Sequence, residues 1–252
     1  MQAKLIAHRL GRAYGPDSSA AALAGALAGP LEGLETDLVL TADRKLVLLH
    51  DPLLPLSTTL TGWAHERSAG EILAGRLLDR SGEPTGERPL LFEELLASVP
   101  PELTLQLEVK AHADDELAGR TADLICDHVE AAAAVERVEL ISFYSGACAR
   151  AAARGLSSRL IVWADYAPEA LAGWAVDCGV AGVSIEHFLL SERLLGPLRL
   201  AGLSVNTGTV NDSESLERVL AFGPDAVVTD RPHELRAEAA ELIRRRFVEA
   251  LT

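Results

Sequence analysis

Eight short runs rich in Leu, Val and Ile recur along the 252 residues, and most are separated by stretches with helical spacing. The runs are LIAH (5–8), LETDLV (34–39), LTLQLEV (103–109), VELISF (138–143), RLIVW (159–163), GVSI (182–185), LSVN (203–206) and DAVVT (225–229). Apolar residues at helical spacing fill 18–28, 114–133, 145–154, 167–176, 191–199 and 212–222, and a charged amphipathic helix is predicted over about 233–250. Parallel neighbours need crossovers of roughly a dozen residues or more, and this alternation supplies them. The pattern predicts an α/β chain folded as a (β/α)8 TIM barrel. A ninth run, KLVLLHD (45–51), follows the second after only TADR, too soon for a crossover, and is expected to fold back as a hairpin arm. The segment from there to about residue 91 is rich in Thr, Ser, Gly, Pro and charge, so that about 43–91 reads as an insertion after strand 2 at the C-terminal mouth. Barrels of this length are commonly one unit, and residues 1–252 are expected to form a single domain.

The stretch LETDLVLTADRKLVLLHD carries the densest chemistry. Strand side chains alternate between faces, so Glu35 and Asp37 point the same way and repel each other unless a cation lies between them. In LTLQLEVK, Leu105, Leu107 and Val109 share the face expected to meet the helices, which sends Glu108 and Lys110 into the barrel or its mouth. Glu35, Asp37 and Glu108 could then form a hard-cation site whose oxygen ligands suit Mg²⁺ or Ca²⁺ rather than zinc. Arg9 and Lys110 place positive charge where a phosphate would need it. His8 closes the first run and His50 lies on the returning arm. Taken singly, an acid pair or a strand-end histidine is common in proteins without a site. Their coincidence at the C-terminal ends of predicted strands sets these residues apart.

Composition narrows the partners. The formal charge of −14, from 23 Lys and Arg against 37 Asp and Glu, disfavours nucleic acid and stable association with a polyanionic membrane. A small anionic substrate remains compatible, because exposed charges are screened over roughly 8 Å at physiological salt. Cys126, Cys148 and Cys178 are odd in number and scattered, and read as buried thiols rather than a disulfide framework. With a strand beginning within a few residues of the N-terminus and no run of 18 apolar residues, a soluble cytoplasmic protein is expected. The oligomeric state is not readable.

In order, IAHR, PDSSAAAL, LETDLVLTADRKLVLLHDP, LQLEVK, ISF, TVND and VVTDRP span nearly the whole chain and resemble the glycerophosphodiester phosphodiesterase family, within the phosphatidylinositol-phospholipase-C-like barrels. The resemblance implies metal-dependent hydrolysis of a small glycerophosphodiester to sn-glycerol 3-phosphate and an alcohol. It makes His8 and His50 the acid–base pair, with His50 favoured as the acid and the reverse left open. It makes Glu35, Asp37 and Glu108 the ligands of a divalent metal ion, Mg²⁺ or Ca²⁺, and Arg9 and Lys110 the phosphate contacts. Asp51 is expected to orient the hairpin or the His50 ring.

Three positions depart from the family pattern. Leu10 stands where glycine usually follows the His-Arg pair, which bears on how Arg9 is aimed. Pro16-Asp17-Ser18-Ser19 replaces Pro-Glu-Asn-Thr, and Asp17 or Ser18 is expected to cap the following helix. Gly208 replaces a tryptophan that would wall the alcohol side, for which Trp163 is the candidate substitute. His187 ends a strand and is a candidate for the mouth, whereas His65, His112, His128 and His233 have no partner at meaningful spacing. Arg244, Arg245 and Arg246 read as the solvated end of the last helix. Two competing readings are a lysophospholipase D acting on a longer lipid and, from a different class, a non-catalytic phosphodiester-binding barrel.

Overall fold

The computed structural model describes residues 3–249, with the backbone alone at 243 and 245–249. Its first half contains β1 (Lys4–Ala7), α1 (Ala20–Leu27), β2 (Gly33–Leu40), β3 (Leu46–Leu48), α2 (Ala69–Leu73), α3 (Phe92–Ser98), β4 (Thr104–Lys110) and α4 (Asp115–Ala131). The second half runs β5 (Val138–Ser142), α5 (Ser145–Ala153), β6 (Ser157–Val162), α6 (Pro168–Asp177) and β7 (Gly182–Glu186). It ends with α7 (Glu192–Leu200), β8 (Ser204–Gly208), α8 (Ser213–Ala221), β9 (Ala226–Thr229) and α9 (Pro232–Glu249).

Strands β1, β2 and β4 to β9 are parallel neighbours in order around a closed ring, sealed where β1 pairs with both β2 and β9. This is the expected TIM barrel. Leu105, Leu107 and Val109 are fully buried against the helical layer, which leaves Gln106, Glu108 and Lys110 to the barrel interior. The floor of the barrel is polar: Arg159 grips Glu139 at 2.8 and 3.0 Å, and Gln106 reaches the same carboxylate at 2.9 Å. Together they border a cavity of about 670 Å³ at the N-terminal end, where the charged groups satisfy one another.

The ninth run is the predicted hairpin arm. Strand β3 lies antiparallel on β2, with Leu38, Val39 and Leu40 opposite Leu48, Val47 and Leu46. The pairing continues one step, as Leu49 donates its amide to the Asp37 carbonyl at 3.1 Å, and delivers His50 beside the strand that carries the acid pair. Val39, Val47, Leu54, Ile72 and Leu77 form a small apolar cluster that anchors the insertion to this hairpin.

Among the described residues, no helix is long and apolar enough to cross a membrane. Cys126 and Cys148 are buried thiols as expected, but Cys178 is only half-buried. Arg244 is exposed and pairs with Glu241 at 2.7 Å, whereas the side chains of Arg245 and Arg246 lie outside the described residues.

The cap of α1 differs from expectation. Ser19, rather than Asp17 or Ser18, accepts the Ala22 amide at 3.0 Å. Ser18 is held at φ +56°, where its hydroxyl accepts from Thr36, and Asp17 is drawn aside by Arg9 and Arg12. Ser19→Ala is therefore expected to cost about 1 kcal/mol in urea unfolding with an unchanged m-value, the usual size for a lost N-cap.

Candidate active site

Parallel register sets Asp37 of β2 directly opposite Glu108 of β4, and Glu35 opposite Gln106 one interior layer below. One ligand oxygen from each of Glu35, Asp37 and Glu108 lies within 4.8 Å of the others. All three residues are buried, with exposures of 2%, 1% and 9%. Like charges on opposed strand positions destabilise a sheet, and burial removes the water that would screen them. Glu35 Oε1 and Asp37 Oδ2 have no hydrogen-bond partner, although each is inaccessible to solvent. Converging hard oxygen donors with unmet capacity fit a divalent cation such as Mg²⁺ or Ca²⁺.

The neighbours divide these acids electrostatically. Burial, then Asp37 and Glu108, raises the Glu35 pKa well above the usual glutamate range. Burial also raises Glu108, with Lys110 pulling the other way and Asp37 adding to the rise. Asp37 is held below its ordinary value despite its burial, because Lys110, His50, Arg9 and His8 together outweigh the desolvation. Without a bound cation the surroundings thus favour the protonated form of Glu35 and Glu108 and the ionised form of Asp37.

The two predicted cations reach this cluster. Lys110 Nζ lies 3.1 Å from Asp37 Oδ1 and also contacts Glu108 Oε1, with its ammonium 5.7 Å from the centre of the Phe143 ring. Arg9 donates its backbone amide to Glu35 Oε2 at 2.9 Å, while its guanidinium pairs with Asp17 and faces Asp37 at 3.7 Å. Arg9 and Leu10 both occupy the left-handed region, at φ +47° and +62°. Glycine would take that conformation without penalty; for leucine it costs about 1–2 kcal/mol. Leu10 offsets this by burying its side chain completely, which contributes about 1.5–3 kcal/mol. The left-handed turn that aims Arg9 is thereby compatible with leucine at this position.

Both histidines are oriented by an aspartate. His8 Nδ1 donates to Asp230 Oδ1 at 2.7 Å, leaving Nε2 directed toward the acids, 3.9 Å from Glu35 Oε2. His50 Nδ1 lies 3.1 Å from Asp51 Oδ1, as the sequence reading anticipated for Asp51. A ring whose Nδ1–H is held by a carboxylate presents Nε2 for proton transfer. Asp230 is itself fixed by Asn211 Nδ2 at 2.9 Å and approached by Arg80 at 3.4 Å. Asp230, Asn211 and Arg80 received no role from the sequence. The available signal was an aspartate just beyond the last barrel strand, which closes against the first.

Two recesses flank the cluster. A cavity of about 90 Å³ adjoins His8, Glu35, Glu108, Phe143, Glu186 and Gly208, and another of about 220 Å³ adjoins Arg9, His50 and Arg80. A Cβ on Gly208 would lie 2.7 Å from Val228 Cβ, so this backbone has no room for a larger residue there. Trp163 does not replace the missing wall: it follows the end of β6, is 57% exposed and does not border either recess, whereas Phe143 does. His187 is likewise turned away, its Nδ1 engaged by Arg218 at 2.7 Å. His65 and His112 meet edge-on beside Trp63, His128 lies 3.7 Å from Glu93, and His233 stacks on Tyr14, all apart from the acid cluster.

Comparison with known proteins gives a match to the Glycerophosphoryl diester phosphodiesterase family over residues 8–234. A glycerophosphodiester phosphodiesterase of Caldanaerobacter subterraneus subsp. tengcongensis is 25% identical over 241 residues, covering 93% of this chain and 97% of that protein. The fold is shared with an Oleispira antarctica phosphodiesterase solved in complex with the product sn-glycerol-3-phosphate (TM-score 0.82, 21% identity, 94% of this chain and 96% of that one). A Parabacteroides distasonis glycerophosphodiester phosphodiesterase superposes similarly (TM-score 0.80, 23% identity, 96% and 98% covered).

The raised Glu35 pKa has a thermodynamic consequence. Above the ordinary glutamate value of 4.5 the unfolded chain has lost this proton while the folded chain retains it. Stability should therefore fall by about 1.4 kcal/mol per pH unit until folded Glu35 ionises. Urea unfolding of the chelator-treated protein across this range should show that slope. Glu35→Gln should make the fall less steep by about that amount, with raised Glu108 still contributing in the same direction, and an unchanged slope in that variant would remove Glu35 from the account.

Proposed function

We infer, from the premise that this chain belongs to the glycerophosphoryl diester phosphodiesterase family, that it hydrolyses glycerophosphodiesters to sn-glycerol 3-phosphate and an alcohol. The observation that carries this reading is the cluster of three buried carboxylates at the barrel mouth, joined by two aspartate-held imidazoles and two cationic side chains. Glu35, Asp37 and Glu108 are the residues that would hold a divalent ion. Its charge would offset the negative charge that builds on the phosphate as the ester bond breaks. Arg9 and Lys110 bind the phosphate, each already held in place by a buried acid.

His8 and His50 divide the proton transfers. One takes a proton from the nucleophile as the new P–O bond forms, the nucleophile being either water, which gives glycerol 3-phosphate directly, or the substrate's own hydroxyl, which gives a cyclic phosphate that water then opens by the same proton transfers. The other gives a proton to the departing alcohol oxygen, which keeps the electron pair of the broken P–O bond. Asp230 and Asp51 hold the rings so that each presents Nε2 for these steps. The free thiols suit a reducing compartment, and the cytoplasm is the proposed setting.

The test is a coupled assay for glycerol 3-phosphate over a panel of glycerophosphodiesters and lysophosphatidylcholine. Activity should require Mg²⁺ or Ca²⁺ and disappear in chelator. His8→Ala and His50→Ala should each lose about 10²- to 10⁴-fold in kcat, the usual size for a lost proton-transfer group. Glu108→Gln should lose activity with weakened metal dependence. Full activity in chelator or in either histidine variant would sink the mechanism, and turnover of lysophosphatidylcholine alone would redirect it to a lipid substrate.

A further inference from the structure

The cavity at the floor of the barrel lies apart from the acid cluster. Ile6 borders it, Val228 borders the recess beside His8, and with Ala226 these side chains form one apolar cluster between the two spaces. Its volume of about 670 Å³ falls within the range of small-molecule pockets and far exceeds what one water fills. Its charged groups are already paired or solvated. Arg159 binds Glu139 through Nε and Nη2 and reaches Ser204 Oγ at 2.7 Å through Nη1. Asp225 accepts the Val205 amide at 2.7 Å, and Lys4 is exposed to water at the rim. Lys4 and Arg159 thus balance Glu139 and Asp225, and the lining carries no net charge.

Two buried amides are left over, and both border this cavity. Gln106 is 1% exposed, and donating Nε2 to Glu139 leaves its Oε1 without a partner. The neighbouring carboxylate fixes that orientation, because turning the amide over would set two acceptors against each other. Asn206 of β8 is 2% exposed, and its side-chain amide has no hydrogen-bond partner among the described residues. A buried amide without a partner is costly unless something in the adjoining space completes it.

The unmet groups define the ligand. An amide offers a donor and an acceptor side by side, which matches hydroxyl groups that can both give and take, and the Gln106 oxygen needs one further donor. A lining without net charge favours an uncharged ligand over an ion. Among the described residues no aromatic ring borders the cavity, so a base has no platform to stack on, while Ile6, Leu220 and Pro224 offer aliphatic surface to a carbon chain. We propose that the floor of the barrel is a binding site for a small uncharged polyol, held by Asn206 and Gln106 and independent of the reaction at the mouth.

Saturation-transfer NMR titrations of the full chain test this with erythritol and with butane-1,4-diol, which lacks the inner hydroxyls, while sn-glycerol 3-phosphate is present to occupy the mouth. Wild type should bind erythritol with a Kd of about 1 mM and the diol about 10-fold more weakly. Asn206→Leu, close in size but without the amide, should lose about 10-fold in erythritol affinity. Ala226→Leu, which fills the space, should abolish binding. Both variants should release glycerol 3-phosphate at the wild-type rate, since neither residue borders the recesses at the mouth. No erythritol binding, equal affinity for erythritol and the diol, or erythritol affinity unchanged in both variants overturns the site and leaves a cavity filled by water only. The comparison of the two ligands needs no substitution, so it decides the outcome even where a change at the floor unfolds the barrel.

Discussion

Three acids are buried together at one end of the barrel, and much of the surrounding structure answers that repulsion. Desolvating a carboxylate costs several kcal/mol even after relaxation, and setting Asp37 opposite Glu108 adds direct repulsion. Lys110, on the same interior face as Glu108, spans the gap between the two. Arg9 serves the same cluster through two groups, its amide on Glu35 and its guanidinium facing Asp37. What remains unsatisfied, Glu35 Oε1 and Asp37 Oδ2, is the capacity that a hard cation would fill.

Two irregular pieces of backbone complete this centre, and neither belongs to the repeating strand–helix scheme. The left-handed turn at Arg9 and Leu10 reverses the chain just after β1, which leaves His8 above the acids and turns the Arg9 amide toward them. The β3 arm returns along β2 and brings His50 to the same mouth. Regular parallel strands thus supply the acids and Lys110, and local departures supply both histidines. This division suits a barrel whose strands fix position while its loops carry the chemistry.

Much of this was legible in residue order because it depends on short-range periodicity. Alternation in LTLQLEVK sorts Leu107 from Glu108, and the four residues TADR are too few for a crossover, so both the interior acids and the hairpin follow from local spacing. Three features needed coordinates. Asp230 meets His8 across 222 residues, a contact that exists only because β9 closes against β1. The cap of α1 passed to Ser19 because Arg9 and Arg12 compete for Asp17, a long-range electrostatic effect that helix-start rules do not include. Trp163 was expected to replace the wall missing at Gly208, yet strand-end residues leave the sheet in directions that sequence alternation no longer governs, and the ring projects toward solvent.

The central claim is that Glu35, Asp37 and Glu108 act as one cation site. Anomalous diffraction from crystals of the protein loaded with Mn²⁺ tests it most directly. The account predicts one strong peak within bonding reach of all three carboxylates, with Lys110 displaced from its position between Asp37 and Glu108. A cluster without a peak, still bridged by Lys110, or a peak bound elsewhere in the barrel, would contradict it.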